Sequence, residues 1–430
     1  MTGASPGRQR VSLTLALVLT APGLIVRLTG AHLDHPVEAF VFGLAIVGAA
    51  FLLSWAAEVA QLDISTGLAI AVLAFIAVLP EYAVDLVFAW KGGDAVEKFG
   101  AACGPAGGTN ETPCSLALAN MTGANRLLIG LGWSMVVFIA WYQWRKRKMR
   151  ENEIKLERSH AVELSFLSVA SVYSLTLPLK RSITLVDTAV LVSLFIAYTV
   201  RISRAPAEEP HLVGPAAWIG TFDDTPRRLS VLGLFSFAAF VVLLCAEPFA
   251  EALVETGSQF GISEFLLVQW LAPLASEAPE LLIAGLYAWR LNTANGLGAL
   301  VSSKVNQWTL LVGSLPVVFA IASGSLHGLP IIARQREELL LTAAQSVFAV
   351  AVLASLSISV REALMLFGLF WGQFVAGAIV PESAHGVELV IVSIVYLVLA
   401  AVIITRHRRD VPRLLRDGFR TSYAELSRAG

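Results

Sequence analysis

Residues 272–291, APLASEAPELLIAGLYAWRL, place Glu277 and Glu280 in a run otherwise apolar enough to cross a bilayer. A carboxylate near the membrane midplane is costly unless it faces a bundle interior or a wet cavity, so acids at such a place mark a functional site by default. The competing reading is a buried structural pair. A second copy of the pattern argues against it. Residues 78–93, VLPEYAVDLVFAWKGG, repeat Pro-Glu and then, at the same spacing, an aromatic-Ala-Trp-basic ending. Pro80, Glu81, Phe88, Ala89, Trp90 and Lys91 thus match Pro279, Glu280, Tyr287, Ala288, Trp289 and Arg290.

The chemistry open to these acids is the holding of hard cations. Proline lacks an N–H and crowds the carbonyl four residues back, so Pro279 frees the oxygen of Ala275 and Pro80 that of Ile76. Ser276 and Glu280, four apart, and Glu277 and Glu280, three apart, share a helix face beside it. Ligands of oxygen alone suit Na+, Ca2+ or a proton rather than zinc or copper, and no Cys/His cluster offers a softer site. No cofactor is indicated.

Each acidic helix is followed by a stretch rich in small residues, 117–132 (ALANMTGANRLLIGLG) and 298–313 (GALVSSKVNQWTLLVG). They align without a gap: Thr122 on Ser303, Asn125 on Asn306, Arg126 on Gln307 and Gly132 on Gly313. Small residues allow close helix approach. Thr122 with Arg126, and Ser303 with Gln307, share a face. Their polar side chains are expected to face the Pro-Glu helix of their own half.

The elements that must position these residues are membrane spans. With 430 residues, 56% hydrophobic and 15% charged, and a mean hydropathy of +0.70, the chain belongs to the polytopic membrane class. A net charge of -1 gives no reason to expect nucleic acid. After a first apolar stretch over 11–26, read as a span rather than a signal peptide, apolar runs occupy about 38–60, 66–90, 114–143, 160–178 and 182–201. A second set covers about 229–252, 263–290, 296–322, 338–356 and 361–380, with a last span near 386–405, giving twelve crossings.

Residues 145–160 hold seven Lys or Arg and the tail from Arg406 seven more, which places both, and hence both termini, in the cytoplasm of a cell whose inner (plasma) membrane holds the protein. Lys180, Arg181, Arg334 and Arg336 fall on the other side against this bias. Trp141, Tyr142 and Trp144 sit where an interfacial aromatic belt would lie. Each half contains five spans, and an odd number inverts the second copy relative to the first. ELSFLSVASVY from Glu163 and ELLLTAAQSVF from Glu338 also align in register.

The fold expected is therefore an all-α polytopic membrane protein of two inverted five-helix repeats plus one extra span at each end, about twelve transmembrane helices. Its divisions are an extra span (1–37), a first repeat (38–203), a linker (204–228), a second repeat (229–381), an extra span (382–405) and a basic tail (406–430). Cys103 and Cys114 flank a Gly/Pro-rich loop and are either bridged or free thiols. Cys245 reads as core packing. Asn110-Glu-Thr matches a glycosylation sequon, meaningful only in a secretory pathway. The tail, with Leu414, Leu415 and Phe419 among arginines, reads as a helix lying on anionic lipid.

At these motifs the chain resembles the cation/Ca2+ exchanger superfamily, the sodium/calcium exchanger membrane region. Repeats in that family carry Gly-Thr-Ser-Leu-Pro-Glu followed by Gly-Asn-x-x-Gly-Ser-Asn-x-x-Asn/Asp. The likeness covers about 54–135 and 245–315, and GISEF at Gly261 to Phe265 also looks like the family's entry to its seventh helix. It implies ten core helices, an ion site on helices 2, 3, 7 and 8, and two gating helices that slide across them. It further implies secondary active antiport of Ca2+ or another hard cation against Na+ or H+ by alternating access.

Carried over by residue, Glu81 and Glu280 stand for the paired site glutamates, Ser276 for the second-half Thr, Ser303 for a Ser, and Gln307 for an Asn or Asp. Departures are Ala77 and Val78 for a Thr-Ser pair, Glu277 for a Ser, Thr122 for a Ser, Arg126 for an Asn or Asp, and Lys304 for an Asn. The ligand set so implied is Glu81, Glu280, Ser276, Glu277, Thr122, Ser303 and Gln307. The pattern is that of a divergent member, with proton coupling among the expectations.

Two other classes stay in view. A receptor or scaffold that does not transport would tolerate the lost ligands, and a carboxylate hydrolase would need an activated water and a recognition motif that the sequence does not supply. Neither an enzyme nor a particular oligomer is indicated. Arg126 must pair with an acid if buried. Glu81 and Asp85, four apart on one face, are the expected partners, which would make Arg126 and Asp85 a charge pair beside the ion site.

Overall fold

The apolar runs end where the sequence supplies stop signals. Thr112 caps one helix, its hydroxyl accepting from Ser115 N with Pro113 at the first turn; Gly261, at φ 63°, closes another. The computed structural model describes residues 6–63, 79–100, 103, 112–205, 212–261 and 264–426. The start of the third span with Ile76, Ala77 and Val78, the Asn110 sequon, and Ile262-Ser263 of the GISEF stretch lie outside the described residues.

The helices are α1 Pro6–Thr29, α2 His35–Ala60, α3 Leu79–Phe99, α4 Pro113–Lys146, α5 Ala161–Ser174 and α6 Leu185–Ile202. The second half supplies α7 Asp224–Phe260, α8 Glu264–Trp289, α9 Thr293–Ser323, α10 Ala333–Val352 and α11 Val360–Ile379. Two more follow, α12 His385–Arg406 and a short tail helix, α13 Asp410–Phe419. Among the described residues, nine helices are long and apolar enough to cross a membrane, and α3, α8 and α11 run alongside them. The chain is an all-α polytopic membrane protein.

Four short strands, β1 Glu153–Lys155, β2 Ser182–Ile183, β3 Leu329–Pro330 and β4 Ser357–Ser359, reveal how the halves are related. β1 pairs with β4 and β2 with β3, both antiparallel. The loop after the third helix of each repeat is thus joined to the loop after the fourth helix of the other. Successive loops of one repeat lie on opposite membrane faces, so the two repeats run in opposite senses: the structure is an inverted repeat, with α1 and α12 outside it. Both small-residue helices also widen into π-helical turns at corresponding places, Leu128–Trp133 in α4 and Gln307–Leu311 in α9.

Hydrogen bonds sort the loops into the same two sets. On one face Arg227 chelates Asp63 at 2.7 and 2.8 Å, Val213 N donates to Glu58, and the basic segment 147–158 meets the tail. On the other, Gln259 bonds Asp34 at 3.1 Å, and Cys103 and Cys114 are joined by a disulfide, Cα atoms 6.1 Å apart.

Packing is close enough in places to exclude any side chain. A Cβ on Gly123 of α4 would lie 1.7 Å from the carbonyl oxygen of Gln269, the oxygen that Pro273 leaves without its helical partner. α8 therefore abuts α4, the small-residue helix of the other repeat, as well as α9 of its own, and α3 packs on both α4 and α9. Of the polar side chains expected to face the Pro-Glu helix of their own half, Ser303 and Gln307 do so, while Thr122 and Arg126 meet residues of the other repeat: the repeats interlock. Cys245 is buried in the core, as its sequence context implied.

Two surface expectations also change. Trp144 is buried rather than interfacial, while Trp141 and Tyr142 stay exposed and Tyr142 stacks on Trp289 with centroids 5.9 Å apart. α13 does not turn its apolar side to lipid but docks on α5. Leu414 is buried, its carbonyl accepts from Ser165 Oγ at 3.0 Å, and Phe419 meets Phe166 edge to face. Arg158 grips Asp417 with two bonds of 2.7 and 3.0 Å, and Arg201 Nε donates to the Gly418 carbonyl at 3.0 Å. A helix with one apolar side satisfies a protein groove as well as a lipid surface, and here the groove is present.

The Arg158 guanidinium holds the Asp417 carboxyl below the usual carboxylate range. A depressed carboxylate contributes stability that is complete above its unfolded pKa, about 3.9, and is lost as pH falls through the lower folded value. Tail docking should be constant from neutral pH down to about pH 4 and weaken below it. D417N should release the tail at neutral pH, read as faster amide hydrogen exchange over 410–419; unchanged protection there would show that apolar packing alone holds it.

Candidate functional site

The polar centre lies where α3, α4, α8 and α9 meet. Pro279, inside α8, leaves the Ala275 carbonyl without its helical partner one turn before Glu280, and Pro80 stands directly before Glu81 at the start of the described part of α3. Glu81 and Glu277 are buried and within hydrogen-bonding contact of each other across the two repeats, and Glu277 also reaches Glu280 on its own helix. Gln307 Nε2 bridges the repeats, donating to Glu277 Oε1 at 2.8 Å and to Glu81 Oε1 and Oε2 at 3.2 and 3.4 Å. Ser303 lies next to Glu280.

Around these side chains, oxygens outnumber donors. One oxygen each of Glu277 and Glu280, the amide oxygen of Gln307 and the hydroxyl of Ser303 are buried, and among the described residues they meet no partner beyond the close contacts of these side chains with one another. Buried polar atoms are normally satisfied, so four orphan oxygens in one place form a donor set suited to a hard cation. The carboxyls close on one another and on Gln307; among the described residues, no group of three His, Cys, Asp or Glu side chains stands ready-made as a metal cage.

The remaining residues singled out from the sequence are placed around this centre. Ser276 is buried, with its hydroxyl turned back to the carbonyls of Ala272 and Pro273 at 3.2 and 3.3 Å. Thr122 bonds back to the Leu118 carbonyl at 2.8 Å and is approached by Gln269 of the other repeat at 3.4 Å. Asp85 takes a 2.8 Å bond from Asn120.

Arg126 does not pair with Glu81 or Asp85, and that expectation is corrected. Its guanidinium turns away from the acidic centre, Nη1 donating to Glu338 Oε2 of α10 at 2.8 Å and Nη2 to Gln373 of α11. Trp270 lies 5.2 Å from its Cζ, and Gln269 adds a 3.1 Å bond to Glu338. The physical reason is that α4 is wedged between repeats, so its Arg126 face looks onto the peripheral helices of the second half. Asp85 and Arg126 are thus not a pair; each has its own partner.

The residue missed is Lys304. It is wholly buried in α9, and its Nζ donates to the Asn125 side-chain oxygen at 2.6 Å and to the Asn125 carbonyl. The Trp308 ring lies 5.6 Å away. In sequence it registers only as a departure from the family's Asn. Its burial beside a Ser and near Gln307, with no acid at helical spacing, was the signal that its partner must come from another helix.

The family described as sodium/calcium exchanger protein matches residues 37–203 and 230–379. No curated protein matches the chain. Among solved structures, the crystal structure of an H+/Ca2+ exchanger, CAX, is similar with a TM-score of 0.85 at 41% identity, covering 98% of this chain and 99% of that one. Native YfkE is similar in fold, with a TM-score of 0.58 at 15% identity over 89% of this chain and 100% of its own. A sodium-calcium exchanger, NCX_Mj, gives 0.50 at 16% identity over 81% of this chain and 99% of its own.

The Arg126–Glu338 contact is testable on its own. Breaking a buried ion pair from one side leaves an uncompensated charge and costs about 3–5 kcal/mol, whereas replacing both partners by apolar residues of similar volume is far milder. E338Q should lower the unfolding midpoint in detergent, and the double variant R126M/E338M should recover most of the loss. A strong coupling energy between Arg126 and Glu81 in a double-mutant cycle would contradict the arrangement described.

Proposed function

Because the chain belongs to the sodium/calcium exchanger family, we propose that it is a cation antiporter that moves Ca2+ across a membrane in exchange for protons. The observation that carries this reading is the contact among Glu81, Glu277 and Glu280 with orphan oxygens around them. Carboxylates in mutual contact and shielded from water are not all ionised unless positive charge sits among them. A divalent cation supplies it in one state and protons in the other, so the two compete for the same oxygens. Competition for one site is what couples opposed fluxes. Likeness to an H+/Ca2+ exchanger over nearly the whole chain supports the proton as counter-ion.

In this reading Glu81, Glu277, Glu280, Ser303 and Gln307 hold the cation directly, with Ser276 and Thr122 lining the same junction. α2 and α7, packed along each other and tied by Asp63, Arg227 and Arg228, act as the gating pair. At the opposite face Lys91 of α3 bonds Glu251 of α7 at 2.7 Å, at the rim of a cavity of about 590 Å³ that Glu38 and Glu255 also line. Sliding of the pair would open and close that approach. The face with the basic segments and the tail is assigned to the cytoplasm of a cell with an inner, or plasma, membrane, by the bias of Lys and Arg.

The test is flux from purified protein in sealed liposomes. A proton gradient should drive Ca2+ movement, and E280Q and E81Q should abolish it while leaving the detergent-solubilised protein folded, because each swaps a coordinating carboxylate for a near-isostere. Undiminished flux in both variants would return the two acids to a structural role.

A further inference from the structure

One turn along α3 from the acidic centre, Asp85 and its partner Asn120 of α4 form a second polar pair that the exchange site does not use. Both side chains are fully buried. Asn120 Nδ2 donates to Asp85 Oδ1 at 2.8 Å, and that bond leaves one oxygen of each partner over. Asp85 Oδ2 and Asn120 Oδ1 are buried and, among the described residues, meet no hydrogen-bond donor. Each shares a carbon with an atom of the Asn120–Asp85 bond, so the two stand close together. Among the described residues no basic side chain pairs with Asp85; Arg126 is taken up by Glu338 and Lys91 by Glu251.

A clip that merely tied α3 to α4 would spend its polar atoms on the tie. Two leftover acceptors in the interior carry the cost of lost hydration with nothing to offset it. What suits a carboxylate oxygen and an amide oxygen at once is a hard cation, such as the Ca2+ of the exchange reading.

Their place in the fold says where such a cation comes from. Glu81, Asp85 and Phe88 follow one another at spacings of four and three on one face of α3, and Asn120, Leu116 and Pro113 do the same on α4. Phe88, Leu116 and Pro113 line the cavity of about 590 Å³ on the disulfide face, which Glu38, Glu251 and Glu255 also line. Phe88 and Leu116 are buried and so form its floor. At a helical rise of about 1.5 Å per residue, Asp85 lies about 4.5 Å below Phe88 and about 6 Å above Glu81. The order inward from that face is acidic cavity, apolar floor, Asp85 with Asn120, and then the centre.

We propose that Asp85 and Asn120 are an outer station for Ca2+, occupied in passing between the external cavity and the acidic centre. This role rests on the exchange reading and adds a site to it. One carboxylate and one amide hold Ca2+ more loosely than the three carboxyls of the centre, because affinity follows the charge of the ligand set. An ion must leave as readily as it enters, and a weak site beside a strong one serves both directions.

Two variants act on the station in opposite ways. D85N keeps the shape of the pair and removes the charge, whereas N120D adds a second carboxylate. In sealed liposomes under a proton gradient, D85N should lower Vmax/KM for Ca2+ about tenfold, while equilibrium binding of Ca2+ to the protein in detergent, set by the centre, changes by less than about twofold. N120D should lower KM and Vmax together, because the station then keeps the ion it should pass on. Crystals of the wild type soaked in Sr2+, a stand-in for Ca2+, should show anomalous density between Asp85 and Asn120 as well as at the centre, and D85N should lose only the former. Wild-type flux in D85N, an unchanged KM in N120D, or density at the centre with none beside Asp85 would overturn the station and leave a hydrogen-bonded clip. Should D85N not fold, the N120D kinetics and the wild-type density decide. A wild type that moves no Ca2+ under any gradient would instead defeat the exchange reading itself.

Discussion

Negative charge in a low-dielectric interior must be met by positive charge nearby, and this requirement shapes the centre of the molecule. Glu81, Glu277 and Glu280 crowd together where two repeats meet, and everything around them manages that crowding. Gln307 spends its amide hydrogens on two of the acids, Asn120 occupies Asp85, and Lys304 reaches across the junction to Asn125. In the exchange reading proposed above, what the protein itself leaves unmet is the room for cargo. An exchanger needs this shortfall, since a fully satisfied site would bind nothing.

The inverted repeat gives each acid a partner helix of opposite direction, but the two halves no longer use it alike. Gln307 and Arg126 occupy corresponding positions, and one looks inward while the other looks outward to Glu338 and Gln373. Gly123 and Lys304 also correspond; the first admits the Gln269 backbone against its α-carbon, the second reaches across the junction. Symmetry supplies the scaffold, and at these positions the two halves use it differently.

Much of this was legible in the chain. Pro-Glu within an apolar run is a local signal, and its repetition with the aromatic-Ala-Trp-basic ending exposed the repeat, while the odd number of spans per half dictated the inversion. Partners distant in sequence were not legible. Glu338 lies 212 positions beyond Arg126, and only the packing of α4 between the repeats determines which acid the guanidinium meets. Glu81 and Asp85 were nearer in sequence and had the right spacing, yet faced elsewhere. The tail was misread for a related reason: Leu414 and Phe419 specify an apolar face, and only the folded chain shows that α5 offers a surface to receive it.

The paired strands β1–β4 and β2–β3 fasten the loops of one repeat to those of the other at both membrane faces, so the bodies of α4, α5, α6, α9, α10 and α11 are pinned top and bottom into one frame. Among the described residues, no such strand joins α2 or α7. The two additional helices then fall on opposite sides of that division: α12 is packed on α10 of the frame, while α1 lies along α2 and touches α7. Any displacement of the α2–α7 pair must carry α1 through the lipid with it. If that pair slides as proposed, the terminal helices are mechanically unequal, α1 being ballast on the moving part and α12 a brace on the fixed one.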